Sequence, residues 1–168
     1  MANCTTLTSI TKSCSNNQGG IYSVYINDTN NVTVTAATAS WTIASATASP
    51  KFTSFDFNRN VGSVTIDPKI DLINGSTYYE AKVTLVFNRR EAASSRALTI
   101  IGEGQRFLEI IFLDANGIYW YLDHAQLDGG TEETGTARAD GSKYNVTFTA
   151  LMDNRPYEIS KALVTGVI

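Results

Sequence analysis

The sequence predicts a mainly β fold: an antiparallel β-sandwich or partly closed barrel with one flanking α-helix at about residues 88–101. Three observations carry that expectation. Thr77 to Phe87 alternates apolar and polar residues, and Tyr144 to Ala150 repeats the pattern, which is the period of a strand with one covered face. The stretch between Asn88 and Gly102 instead carries Ala93, Ala97, Leu98 and Ile101 at helical spacing. Turn signals, among them Asn74-Gly75, Asn116-Gly117 and Asp140-Gly141, punctuate the apolar runs. The 168 residues suit a single domain, and 43% hydrophobic content supplies a core.

The elements read in order. Residues 1–20 are polar and small, and Asn16-Asn-Gln-Gly-Gly20 predicts a flexible start. Ile21 to Ile26 is rich in β-branched and aromatic residues and predicts a strand. Asn27 to Asn31 is a turn and Val32 to Thr38 a second strand, which would pair with the first as a hairpin. Ala36 to Ser54 is rich in Ala, Ser and Thr and reads as a long loop or arm, a possible assembly loop within 36–60. Trp41, Ile43, Phe52 and Phe55 are its candidate assembly anchors, because large aromatics dominate contact energies; Trp41 inside the chain's own core is the competing reading. Val61 to Ile66 is a strand that Asp67-Pro68 stops.

Asp71 to Gly75 is then a turn. In the long strand that follows, Tyr79, Ala81, Val83, Leu85 and Phe87 share one face, and Tyr78, Glu80, Lys82 and Thr84 the other. Asn88 is the expected helix N-cap, with Glu91 completing a capping box and Gly102 ending the helix. Phe107 to Leu113 is a central strand, Asp114-Ala-Asn-Gly117 a turn, and Ile118 to Leu122 the return. Asp128-Gly-Gly130 reads as a second turn, Thr131 to Ala139 as extended, and Lys143 to Ala150 as the last clear strand. Tyr157 to Ile168 suggests a terminal strand.

Charge excludes some functions. Only 17% of residues are charged and the net charge is −3, with no basic cluster larger than Arg89-Arg90. Sequence-specific nucleic-acid binding is disfavoured, because neutralising phosphates needs a basic patch. No apolar run reaches the roughly 18 residues of a membrane span, and Met1 to Cys4 does not read as a signal peptide. Five Asn-x-Ser/Thr sequons, at Asn3, Asn27, Asn31, Asn74 and Asn145, are what an Asn- and Thr-rich chain generates by chance. Cys4 and Cys14 would close a small loop or stay reduced; without a secretion signal the reduced form is favoured.

No catalytic set emerges, and no cofactor is expected. His124 is the only histidine, so neither a zinc site nor a nucleophile–base pair has enough members. It reads as a solvated residue at a strand end. Glu109, Asp114, Asp123 and Asp128 are candidate paired carboxylates for glycoside hydrolysis, but all stand at turns or strand edges. Gly102-Glu-Gly104 and Gly129-Gly130 lack the strand-to-helix setting of a phosphate loop. A calcium loop starting at Asp114 would need an acid where Ala125 stands.

Three segments together resemble a known family. They are Cys14 to Ile26 with its Gly-Gly-Ile and Val-Tyr-Ile, the Asp114 to Leu122 hairpin, and Asp140-Gly-Ser-Lys-Tyr-Asn-Val-Thr-Phe-Thr-Ala150 followed by Pro156-Tyr157. Spread over most of the chain, they are similar to the phage major tail tube protein, a tail structural protein of phages of Bacteroidetes-type hosts. The resemblance implies a β-sandwich flanked by an α-helix. It also implies self-assembly into stacked hexameric rings around a DNA conduit, in the virion tail, assembled in the host cytoplasm alongside other tail proteins. DNA would pass through without lasting binding, which a weakly acidic wall suits.

The physical reading runs parallel. Glu80, Lys82, Thr84, Lys143, Asn145 and Thr147 would form a polar face, lining either a lumen or an outer wall. A head decoration or connector protein is a rival that keeps the virion. A carbohydrate-binding or adhesive module is another, with Tyr119, Trp120, Tyr121 and Tyr157 as sugar-stacking candidates. Alternation, however, sends Trp120 to the face opposite Tyr119 and Tyr121.

Overall fold

Strands dominate the chain from Ile21 onward. In order they are β1 Ile21–Asp28, β2 Val32–Ala37, β3 Thr42–Ala48, β4 Thr53–Phe55, β5 Ser63–Asp71, β6 Ser76–Asn88, β7 Leu108–Asp114, β8 Tyr119–Glu133, β9 Lys143–Met152 and β10 Tyr157–Ile159. Helix α1, Ala92–Gly102, separates β6 from β7, and α2, Lys161–Val167, follows β10. The computed structural model describes residues 9–37, 39–58 and 60–168. The sequence readings at Asn3, Cys4 and Thr38 lie outside the described residues; Cys14 is exposed and unpaired among the described residues.

The architecture is sandwich-like, with β8 as its hinge. One layer runs β2-β3-β10-β8-β7-β1-β4, and the other runs β5-β6-β9-β8. Strand β8 serves both: Tyr119 to Ala125 pairs with β7, and Ala125 to Glu133 pairs with β9. His124, at φ 52, marks the bend between the two halves. All pairings are antiparallel except β3 with β10.

Alternation explains two cores. Leu108, Ile110 and Phe112 of β7 face the interior of the sandwich, where Ala81, Val83 and Leu85 of β6 and Tyr144, Val146 and Phe148 of β9 meet them. Ile111 and Tyr121 project from the opposite face of the first layer, where they cluster with Ile43 and Ile159 of the same layer and with Phe52, Val164 and Val167. Trp120 belongs to the first side and Tyr119 and Tyr121 to the second, as the alternation predicts. Helix α1 packs Leu98 and Ile101 against the sandwich core, and its Ser95 hydroxyl lies 2.6 Å from that of Tyr144.

Six local expectations are corrected. Strands β1 and β2 do not form a hairpin: β1 lies between β4 and β7, and β2 pairs with β3. The reason is burial, since Val24, Ile26 and Tyr25 need cover on both faces and a central place supplies it. A 3-10 turn capped by Asp28, which accepts from the Asn30 amide at 2.9 Å, redirects the chain.

The expected loop or arm over 36–54 contains β3 and β4. Ala46 and Ala48 pack beneath the second core, so small side chains mark close packing rather than disorder.

Pro68 does not stop β5, which continues to Asp71. Among the described residues only β6 pairs with β5, so the missing N–H faces the unpaired side.

Asn88 is not a helix cap. It ends β6 opposite Lys143, and the helix starts after Glu91, which makes no side-chain cap bond. Arg89, at φ 60, turns the chain, and the Arg89 and Arg90 amides donate to Ser142.

Gly129 and Gly130 sit inside β8 beside a bulge, not in a turn. A Cβ on Gly130 would meet the Asn145 carbonyl at 2.7 Å.

The tail, finally, is a three-residue strand and then a helix. Ser160 caps α2 by accepting from the Leu163 amide at 3.4 Å, and Val164 and Val167 face the core.

Candidate assembly surfaces

Strands β6 and β9 bring the six predicted polar residues onto one sheet face. Thr84 stands opposite Thr147, Lys82 opposite Thr149, and Asn88 opposite Lys143, while Asn145 lies across from Val86. Their neighbours in register, Ala81, Val83, Leu85, Val146 and Phe148, point into the core. The cations on this face are matched by carboxylates. Glu80 lies 3.1 Å from both Lys69 and Lys82, and Lys143 lies 3.4 Å from Glu133. Hydrogen bonds from Lys82 and Lys69 hold the Glu80 carboxyl below its usual range, and Glu80 in turn raises Lys69. Asn145 donates to Thr131 and Glu133. The result is a hydrated surface with its charges internally paired.

The four predicted anchors divide. Trp41 is 50% exposed at the tip between β2 and β3. Its φ of 55 is held by the Glu158 amide, which donates to the Trp41 carbonyl at 3.1 Å, and by stacking on Tyr157 at 5.7 Å. Ile43 and Phe52, by contrast, are buried in the second core, and the Phe52 amide donates to the Val167 carbonyl at 2.8 Å. Phe55 is half-buried against the sandwich core, 6.2 Å from Phe87. These three are internal packing residues, because strands form where a loop was expected.

A cluster of exposed apolar residues lies elsewhere, on the hairpin between β5 and β6. Ile70, Leu72 and Ile73 are 63%, 90% and 95% exposed. Asp71 fixes the turn by accepting from the Ile73 amide at 2.9 Å, the Asn74 amide at 3.1 Å and the Asn74 side chain. These bonds hold the Asp71 carboxyl well below the usual carboxylate range, so it is ionised at neutral pH. Gly75 closes the turn at φ 67. Strand β9 accompanies β6 only as far as Tyr79, so the hairpin extends beyond the sheet as a two-stranded ribbon. A sequence signal existed: apolar residues packed into Ile70-Asp-Leu-Ile-Asn-Gly75, beside a turn pair.

A groove of about 650 Å³ opens between the base of this hairpin and the β2–β3 tip. Trp41, Val64, Ile66, Phe112, Trp120 and Arg155 line it. The Trp120 indole is fixed by donating to Asp114 Oδ2 at 3.0 Å, and Asp114 Oδ1 accepts from the Asn116 and Ile118 amides. His124 is exposed, 3.7 Å from Asp123. Asn27 of the second sequon is buried and donates to the Pro50 carbonyl. Among the described residues, no group of three or more His, Cys, Asp or Glu side chains is placed to hold a metal. Among the described residues, no helix is long and apolar enough to cross a membrane.

The fold and these surfaces define a β-sandwich-like domain with flanking helices, an exposed apolar hairpin and a charge-paired sheet face. No protein-family model matches the chain, and no curated protein matches it significantly.

Proposed function

We propose that the chain is a virion structural protein, a tail tube subunit that assembles into stacked hexameric rings forming a conduit for genome delivery. The exposed Leu72–Ile73 tip carries this reading, because adjacent apolar side chains on a projecting ribbon are costly to leave in water unless something covers them. The edge of β5, unpaired among the described residues, supports it as well, since an unpaired strand edge invites pairing with another chain. On this reading the face bearing Glu80, Lys82, Thr84, Lys143, Asn145 and Thr147 lines the lumen. Its paired charges let a polyanion pass without gripping it, and other tail proteins meet the ends of the tube. The work is mechanical and needs no cofactor.

Negative-stain electron microscopy with sedimentation over a concentration series tests the proposal. Rings with a central hole, or tubes of stacked rings, are expected. Single-chain particles at the highest attainable concentration would overturn it.

A further inference from the structure

We infer that the groove between the β2–β3 tip and the base of the β5–β6 hairpin is a binding site for a neutral oligosaccharide. The inference concerns a single copy of the chain and does not rest on the assembly reading. Both tryptophans of the chain, Trp41 and Trp120, line this one groove, and each is held in place by its own neighbours. Trp41 is half exposed at φ 55, a backbone conformation unfavourable for a bulky side chain. It is kept there by the Glu158 amide and by stacking on Tyr157. The Trp120 indole N–H is taken up by Asp114, so Trp120 has its ring face left to offer. Sheet register sets what lies beside it. Phe112 stands opposite Trp120 on β7 and Glu158 opposite it on β10, so the three side chains form a row on one face. Tyr119 and Tyr121 point to the other face, and Trp41, backed by Tyr157, supplies the second aromatic surface.

Charge selects the class of ligand. Asp114 is saturated: Oδ1 accepts from the Asn116 and Ile118 amides, and Oδ2 from Trp120. Glu158 and Arg155 are exposed, and neither forms an ion pair among the described residues. Arg155 lies over the Tyr79 ring at 5.2 Å. A cationic ligand would meet Arg155, and an anionic one would meet Asp114 and Glu158. A neutral polyhydroxyl ligand meets no like charge. Its hydroxyls donate to the Glu158 carboxylate and accept from the Arg155 guanidinium, and the charged partner strengthens each bond. A pyranose ring carries hydroxyls around its edge and C–H groups on its face. That is the complement of indole surfaces flanked by a few polar groups, in a groove of about 650 Å³.

A glycan array probed with the full chain tests this, spanning neutral hexose and N-acetylhexosamine oligomers beside sialylated and sulfated ones. Titration by intrinsic fluorescence then measures each hit, because both tryptophans line the groove. A neutral oligomer is expected to bind, to shift the tryptophan emission, and to keep its affinity as salt rises, since no net charge is being screened. Trp41→Asn, in which asparagine accepts the left-handed backbone, and Glu158→Ala each weaken binding by about tenfold, one decade in Kd. Circular dichroism establishes that each folds, and Glu158→Ala, at an exposed position, decides alone if Trp41→Asn does not. Leu72→Ser with Ile73→Ser, outside the groove lining, leaves binding unchanged. Three results would each overturn the inference: no neutral glycan binds, only charged glycans bind, or neutral glycans bind with an affinity that the groove variants do not alter. None of them bears on assembly, which electron microscopy reads separately.

Discussion

Glu109 and Tyr121 form the most consequential polar contact in the second core, and their removal is predictable in sign. Glu109 is 2% exposed, and Tyr121 donates to its Oε2 at 2.6 Å. Burial raises the Glu109 carboxyl above its ordinary value; the Tyr121 hydrogen bond and His124 oppose that shift, and Asp123 adds to it. The Thr29 hydroxyl is also buried beside this carboxyl but makes no hydrogen bond of normal length. Tyr121 is itself pushed far up, by burial first and by Glu109 second.

A carboxyl whose folded pKa is raised binds its proton more tightly folded than unfolded. Its contribution to stability is therefore full below the ordinary glutamate value and is lost as pH rises through the folded value. Each unit of difference corresponds to about 1.4 kcal/mol. Glu109→Gln keeps an acceptor for Tyr121 and removes the titration, so its stability curve flattens above pH 4 and meets or exceeds the wild type at pH 8. Tyr121→Phe leaves the buried carboxyl without its donor, at a cost of about 2 kcal/mol, or roughly 4–8 °C in Tm for a chain of this length. That cost grows with pH, because the charged carboxylate needs the donor more. Urea unfolding of the three proteins from pH 4 to 9 decides the matter. Parallel pH profiles for the wild type and Glu109→Gln would refute the reasoning.

Three further outcomes follow from the geometry. Leu72→Ser with Ile73→Ser leaves unfolding stability within about 0.5 kcal/mol, since both side chains are exposed. If the proposed assembly buries this tip, the change removes about 3–6 kcal/mol of burial per contact and raises the assembly threshold by roughly two to four decades in light scattering. Glu80→Gln with Glu133→Gln frees Lys69, Lys82 and Lys143 from their carboxylates, so low-salt gel shifts should show DNA retention that fades as salt rises; no gain in retention would argue against the proposed role of charge pairing on this face. Gly130→Ala drives a methyl to 2.7 Å from the Asn145 carbonyl and should destabilise by about 1–3 kcal/mol in denaturant titration.

Where alternation was strong, the sequence was legible. The faces of β6 and β9 follow from Tyr79 to Phe87 and Tyr144 to Ala150, and the six polar residues share a face for that reason alone. The turn at Asn116-Gly117 was legible too, with Gly117 at φ 85. The misreadings came from residues whose meaning depends on a partner. Alanines at 46 and 48 lower strand propensity, yet they are required where sheet and core approach closely. Pro68 is a breaker in a central strand and harmless on a free edge. Gly129 and Gly130 resemble a turn until β9 is laid beside them. The groove was illegible because β2–β3, β5 and the β7–β8 hairpin converge from distant parts of the chain, whereas the Leu72–Ile73 tip is local and was hidden only by its turn residues.

The bend in β8 has a mechanical consequence. Its N-terminal half is stitched to β7 and its C-terminal half to β9, so neither layer can peel away without tearing the other's ladder. Unfolding should then be a single event, with the amides around Ala125 exchanging only as fast as the whole molecule opens. The wall of the proposed tube would then yield at its seams, between one copy and the next, before any individual copy unravels.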